Sequence, residues 1–279
     1  MPSWWVATWA ASSASSSRCR SPPRCAFSSS TPTNASTPEP TSGPTLGLLS
    51  DVHSNLEALE AVLAAMPPVD RIVVLGDIVG YGPDPNAVIS RLRALRARAV
   101  MGNHDQAMLE PALLDWFNPH AAAAARWTQA VLTPQSRRYL ASLPKYGRLG
   151  SHRYVHGSPR KPYVWEYILD ELQALEILTR LGKRLCFFGH THLPRIFSEE
   201  GEQAPESEDW IDLPPAALVN PGSVGQPRDG NPQAAFAVVD LGKPAVRFGR
   251  VPYDVATTQA KIREAGLPEV EAARLALGR

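Results

Sequence analysis

The chain has 279 residues, of which 44% are hydrophobic and 20% charged, and a formal net charge of +1. These proportions are ordinary for a globular protein, and so small a charge supplies no field to recruit nucleic acid or an anionic membrane. The three cysteines, Cys19, Cys25 and Cys186, exclude a disulfide framework and a cysteine-based zinc site, and point to a reducing cytoplasm.

Residues 1–44 are expected to be a disordered, low-complexity tail, or a start assigned too far upstream. The stretch "ASSASSSRCRSPPRCAFSSSTPTNASTPEPTSGPT" is built almost entirely of Ser, Pro, Thr, Ala and Arg. It has no periodic apolar face to offset the entropy of ordering. "WWVATWAA" is apolar, but no Lys or Arg precedes it, which argues against a secretory signal. No apolar run in the chain reaches the ~18–20 residues that span a bilayer.

The folded region, residues 45–279, opens with an apolar strand at Leu46–Leu49 and a helix from about Leu56 to Met66, with Ser54 or Asn55 as N-cap. "RIVVLGD" reads as a strand, "DPNAVISRLRALRARA" as an amphipathic helix, and "AVMGNHD" as a strand with a polar end. Two helices follow in "PHAAAAARWTQAVL" and "PQSRRYLASL", then strand "RYVHGSP", helix "ILDELQALEILTRL" and strand "RLCFFGHTH". Beyond these lie short β segments, "AALVNPGSV" and "AAFAVVDL" among them, and a helical pair over Val255–Ala265 and Glu269–Leu277. Alternating strands and helices predict an α/β sheet protein.

The strands end in metal-binding residue types. "SDVH" supplies Asp51 and His53, "LGD" Asp77, "GNHD" Asn103 and His104, "YVHG" His156, and "GHTH" His190 and His192. Taken singly, each has an ordinary explanation: an N-cap, a turn, a core histidine. Together they occupy the carboxyl ends of strands, where α/β sheets gather their ligands. In an extended segment, alternate residues point the same way, so His190 and His192 can aim at one point.

The ordered set "DVH", "GDIVG", "GNHD", "VHG" and "GHTH" resembles the calcineurin-like metallophosphoesterase superfamily. "NPGSVGQPRDG" and the general layout resemble its small bacterial and archaeal phosphodiesterase-like branch. The resemblance implies a four-layer αββα sandwich with a dinuclear metal site at the strands' carboxyl ends. It also implies ligand roles: Asp51, His53 and His192 for one metal, Asn103, His156 and His190 for the other, and Asp77 bridging. Oxygen and imidazole donors suit Mn²⁺, Fe²⁺, Zn²⁺ or Ni²⁺, with Mn²⁺ the first choice. Such a pair activates a bridging hydroxide for in-line attack on phosphorus. His104 is then placed as general acid to the leaving oxygen, or as a hydrogen-bonding neighbour of the ligands.

One departure bears on the substrate. The protein-phosphatase branch carries Gly-Asp-x-x-Asp-Arg-Gly, whereas "GDIVGYG" has Gly80 for the Asp and Tyr81 for the Arg. Without that Arg the site lacks a fixed cation for a monoester's second charge, which favours phosphodiester cleavage of a small or nucleotide substrate. The alternatives are a phosphomonoesterase, a dinucleoside polyphosphate hydrolase, or a non-catalytic scaffold with the same fold. Tyr81, His120 and Trp165 are candidate substrate contacts, the Trp as a stacking surface. No stable nucleic-acid partner and no membrane association are expected.

Overall fold

The computed structural model describes residues 43–205 and 208–279. Apart from Gly43 and Pro44, the tail expected over residues 1–44 lies outside the described residues. In chain order the elements are β1 (Thr45–Leu49), α1 (Leu56–Ala65), β2 (Arg71–Val74), α2 (Pro85–Ala94), β3 (Arg98–Ala99) and α3 (Asn103–Ala107). Next come α4 (Pro119–Val131), α5 (Pro134–Ala141), β4 (Tyr146–Leu149), β5 (His152–Val155), α6 (Glu171–Leu181), β6 (Leu185–Phe187) and β7 (Pro194–Ser198). The chain closes with β8 (Gly201–Gln203), β9 (Trp210–Asp212), β10 (Ala217–Pro221), β11 (Ala234–Asp240), β12 (Ala245–Val251), α7 (Val255–Glu264) and α8 (Glu269–Ala273).

The strands form two six-stranded sheets, ordered β3-β2-β1-β11-β12-β9 and β4-β5-β6-β10-β7-β8. Each has a parallel core, β1 with β2 and β3 in the first, β5 with β6 and β10 in the second, and antiparallel strands beyond it. Strand alternation sorts the apolar side chains into layers. Leu46, Leu48, Val73, Leu75, Phe187, Val219, Ala237 and Val239 pack between the sheets. Leu49, Val74, Phe236 and Val238 face the other way, onto α1, α2 and their neighbours. Val155, Cys186, Phe188 and Leu218 cover the far side of the second sheet beneath α6. Helix, sheet, sheet, helix is the expected αββα sandwich. With both faces covered, all seven residues of β11 are buried.

Asn55, rather than Ser54, caps α1: its Oδ1 accepts from Ala58 N at 3.1 Å. Its amide also donates to Gly225 O at 3.0 Å, tying the helix start to the segment after β10. Two expected strands are shorter than the sequence pattern indicates. Of "AVMGNHD" only Ala99 belongs to β3, and Asn103 already begins α3; β6 ends at Phe187, before "GHTH". Among the described residues, no helix is long and apolar enough to cross a membrane.

Candidate metal centre

Five strand-end segments bring their polar residues to one buried place. Asp51, His53 and His192 offer ligand atoms within 4.8 Å of one another, as do Asp77, His156 and His190. His53 Nε2 lies 3.3 Å from His192 Nε2, and Asp51 Oδ1 is 3.3 Å from the latter. On the other side, His156 Nε2 lies 3.0 Å from His190 Nδ1 and 3.1 Å from Asn103 Oδ1. Asp77 Oδ2 stands between the two groups, 3.6 Å from His53 Nε2 and 3.3 Å from His156 Nε2.

The hydrogen bonds of the imidazoles fix which nitrogen is free. A backbone carbonyl only accepts, so the nitrogen facing it carries the proton. His53 Nδ1 donates to Val79 O at 3.1 Å, His156 Nδ1 to Leu75 O at 2.8 Å, and His192 Nδ1 to Gln226 O at 2.6 Å. His190 reverses the pattern: Nε2 donates to Trp165 O at 2.9 Å and Nδ1 faces inward. Four ring nitrogens not engaged by the backbone are thereby turned towards each other and towards two carboxylates. Asp51 Oδ1 is buried with no hydrogen-bond partner, while its Oδ2 accepts from Ser50 Oγ at 2.6 Å and His190 N at 3.1 Å. Lone pairs converging on an orphaned carboxylate oxygen suit divalent cations, and backbone carbonyls holding the ring orientation are the usual support for metal-binding histidines.

Electrostatics follow from the burial. Burial holds the imidazoles of His53, His190 and His192 well below their ordinary range, hence neutral. Burial opposes charge on Asp77 too, but His156, His104 and His53 outweigh it and keep that carboxyl well below the usual range. His156 is the counterpart: against burial, Asp77 and Asp51 raise it to about 9. Burial lifts Asp51 to about 6.

The loops bend sharply to achieve this. Among the described residues, eight of the nine non-glycine residues with positive φ are Asp51, His53, Ser54, Asp77, Tyr81, Trp165, His190 and His192. Backbone strain concentrated in this way is typical of functional sites. With φ of 70° and 62°, His190 and His192 are not in extended backbone, and they turn to opposite groups rather than to one point.

His104 stands beside the ligands. Its N–H donates to Asp77 Oδ1 at 2.9 Å, and its ring lies 4.5 Å from Tyr81 and 4.6 Å from Phe117 between centroids. A Cβ on Gly80 would fall 2.4 Å from His104 Nδ1, and that buried nitrogen has no partner. Glycine at 80 therefore leaves the ring without a carboxylate, and burial lowers its pKa to about 4.

Residues 45–243 match the calcineurin-like phosphoesterase superfamily domain. The chain belongs to this superfamily. Among solved calcineurin-like phosphoesterase structures, a metallophosphoesterase from Sphaerobacter thermophilus is similar at 41% identity and a TM-score of 0.75, over 85% of this chain and 100% of that one. The uncharacterized protein MJ0912 of Methanocaldococcus jannaschii is 38% identical over 84% of this chain and 98% of its own length. Phosphodiesterase YfcE of Escherichia coli is 29% identical over 68% of this chain and 84% of its own length.

The expected substrate contacts divide. The ring of Tyr81 is buried, 4.7 Å from that of His53. Trp165 borders the second group: its carbonyl holds His190 and its Nε1 donates to Gln106 Oε1 at 3.1 Å. His120 stands exposed in the first turn of α4, and no hydrogen bond or ring contact joins it to the cluster. Sequence reasoning assigned no role to three further residues of this calcineurin-like phosphoesterase domain. Buried Asp105 accepts from the N–H groups of Gly102, Ile78 and Val79 at 2.9, 3.0 and 3.1 Å, locking "GDIV" to "GNHD". Gln226 holds His192, and Arg228 lies with its guanidinium carbon 5.8 Å from the Tyr81 ring centroid. All three lie within quoted motifs, "GNHD" and "NPGSVGQPRDG", which was the available signal.

Proposed function

We propose that this chain is a dinuclear metal-dependent phosphoesterase that cleaves phosphodiester bonds of a small or nucleotide substrate. One observation carries the reading: Asp77 Oδ2 stands between two sets of inward-facing imidazole nitrogens, 3.6 Å from one and 3.3 Å from the other. Asp51, His53 and His192 would hold one ion, Asn103, His156 and His190 the other, with Asp77 shared. Two divalent ions held there, Mn²⁺ the first choice, would supply a water nucleophile at neutral pH and would stabilise charge on the phosphoryl oxygens.

The chain's own side chains do the rest. Carbonyls of Val79, Leu75, Gln226 and Trp165 fix the rings, so little reorganisation is needed when substrate arrives. His104 is assigned to the leaving oxygen. Neutral at physiological pH, it offers its distal N–H as a hydrogen-bond donor that stabilises negative charge as it builds on the departing group. The aromatic rings of Phe117 and Tyr81 around it limit access of bulk water.

Diester specificity is supported by Gly80 and Tyr81 in place of the protein-phosphatase Asp and Arg, and by the similarity to an E. coli phosphodiesterase. Buried, unpaired Cys186 fits a reducing cytoplasm as the compartment. The test is hydrolysis of bis-p-nitrophenyl phosphate and p-nitrophenyl phosphate with Mn²⁺, and after chelation, alongside metal analysis. Two ions per chain, chelator-sensitive turnover and a higher kcat/KM on the bis-ester are expected. A preference for the monoester would refute the diesterase assignment.

A further inference from the structure

The sequence left the substrate's phosphate without a fixed cation, because Tyr81 occupies the position of the phosphatase Arg. The fold brings a guanidinium in from 147 residues further along the chain, at Arg228. We propose that Arg228, propped on the ring of Tyr81, binds the non-bridging oxygens of the substrate's phosphate and sets how the site discriminates a phosphate dianion from a monoanion. This deepens the metal-dependent phosphoesterase reading and rests on it, while removing the lack of a fixed cation as a reason for diester preference.

The segment that carries Arg228 is fastened to the ligands themselves. Val224 N donates to Ser50 O and Gly225 N to Asp51 O, both at 3.0 Å, and Ser223 Oγ donates to Asp51 O at 2.8 Å. Gln226 O accepts the hydrogen bond from His192 Nδ1, and Arg228 follows two residues later. Its Nη2 donates to Gln226 Oε1 at 2.9 Å. Tyr81, on which it rests, lies 4.7 Å from His53 and 4.5 Å from His104 between ring centroids. Secondary to burial, its positive charge is among the influences that lower the pKa of Asp51, His53, His104, His190 and His192.

Its state of pairing separates Arg228 from its neighbour. Arg274 also lies over the Tyr81 ring, at 5.9 Å, but pairs with Glu271 at 3.5 Å. Arg228 has no such carboxylate among the described residues, and its buried Nε–H has no hydrogen-bond partner. Burial opposes its charge, yet Tyr81, Tyr167 and Asp51 outweigh that and keep it protonated. A guanidinium with no carboxylate partner beside a site for two divalent cations is unfavourable unless an anion lies between them. Planar N–H donors match phosphate oxygens, and charge-assisted bonds of this kind are the strong ones.

The experiment uses the full-length, Mn²⁺-loaded protein and inorganic phosphate as calorimetric ligand. Arg228→Met should weaken phosphate binding at least about tenfold, the size of one charge-assisted hydrogen bond, with metal content unchanged. Arg228→Lys, which keeps the charge without the fork, should recover part of the loss. In the kinetics, Arg228→Met should lower kcat/KM on p-nitrophenyl phosphate more than on the bis-ester, because the dianion loses more. If Arg228→Met is insoluble, Arg228→Gln serves for the same measurements. Unchanged phosphate affinity, or loss of phosphate binding only together with loss of metal, would overturn the proposal. Arg228-dependent phosphate binding without any phosphoesterase activity would sink the function reading and leave this one. Bis-ester turnover with phosphate binding indifferent to Arg228 would do the reverse.

Discussion

At His156 two opposing effects decide a protonation state. Burial favours the neutral ring, but the carboxylates of Asp77 and Asp51 win and raise it to about 9. In metal-free protein the ring is therefore charged at neutral pH, paired with Asp77 at 3.3 Å. The pair's contribution to stability is complete below the ordinary 6.5 and is lost as pH rises through about 9. A metal needs the Nε2 lone pair, so uptake must expel the proton. Mn²⁺ binding to metal-free protein at pH 7 should release about one proton per chain, and affinity should climb by up to about tenfold per pH unit towards 9. Calorimetry in buffers of different ionisation enthalpy reads this directly, and heats independent of buffer would contradict it. His104 has the opposite balance, and with Nδ1 unpartnered it is a neutral donor. His104→Ala should then slow esters with alkoxide leaving groups by about 10²-fold or more, and nitrophenyl esters far less, because nitrophenolate departs without a proton. Equal losses on both would assign His104 a structural role. The residue types that converge in the candidate metal centre were legible in the sequence because each strand end displayed its own. The state of His104 was not, because it depends on what Gly80 fails to supply.

At the scale of elements, strands were readable and the turns between them were not. Apolar runs located β1, β2, β5, β6, β10 and β11, since strands covered on both faces leave a continuous apolar record. β4, β7, β8, β9 and β12 carry polar or mixed residues: β4 went unassigned, and the other four were merged into unspecified short β segments. "GHTH" looked extended, but no pattern of hydrophobicity records the positive φ of His190 and His192. Arg228 was hidden for a related reason: only the path of the segment after β10 reveals that it returns over Tyr81. The β2–α2 and β3–α3 turns depend on Asp105, whose carboxylate serves three buried N–H groups. Asp105→Ala orphans all three, at about 1–3 kcal/mol each before relaxation. We expect a melting temperature lower by more than about 10 °C and loss of the second-group metal, because Asn103 and Asp77 sit on the turns it joins. A variant with wild-type melting and full metal content would refute this role. Gly80→Ala is milder: φ of 98° and a Cβ 2.4 Å from His104 Nδ1 force the ring to move. Turnover should fall more than stability does.

For the whole molecule, the question is where the folding unit begins. The apolar clusters of the described residues are built from side chains between Leu46 and Leu275, and β1 lies inside the first sheet, between β2 and β11. A central strand cannot be trimmed, so the boundary must precede Thr45. The hydrogen bonds refine it. Thr45 N and Oγ1 donate to Asp70 Oδ2 at 2.7 and 3.0 Å, and Pro44 O accepts from Leu241 N at 3.2 Å. The backbone of Pro44 thus extends the pairing of β1 with β11 by one step, which sequence composition had assigned to the tail. A chain starting at Gly43 keeps that bond, whereas one starting at Thr45 forfeits it, about 0.5–1.5 kcal/mol. We therefore predict that removing residues 1–42 leaves melting temperature within about 2 °C, metal content and kcat/KM on the bis-ester unchanged, while starting at Thr45 costs a few degrees more. Thermal melts of the three chains with metal analysis measure it. If the chain beginning at Gly43 is insoluble or melts several degrees lower, residues 1–42 contribute to the fold and the composition argument for the tail fails.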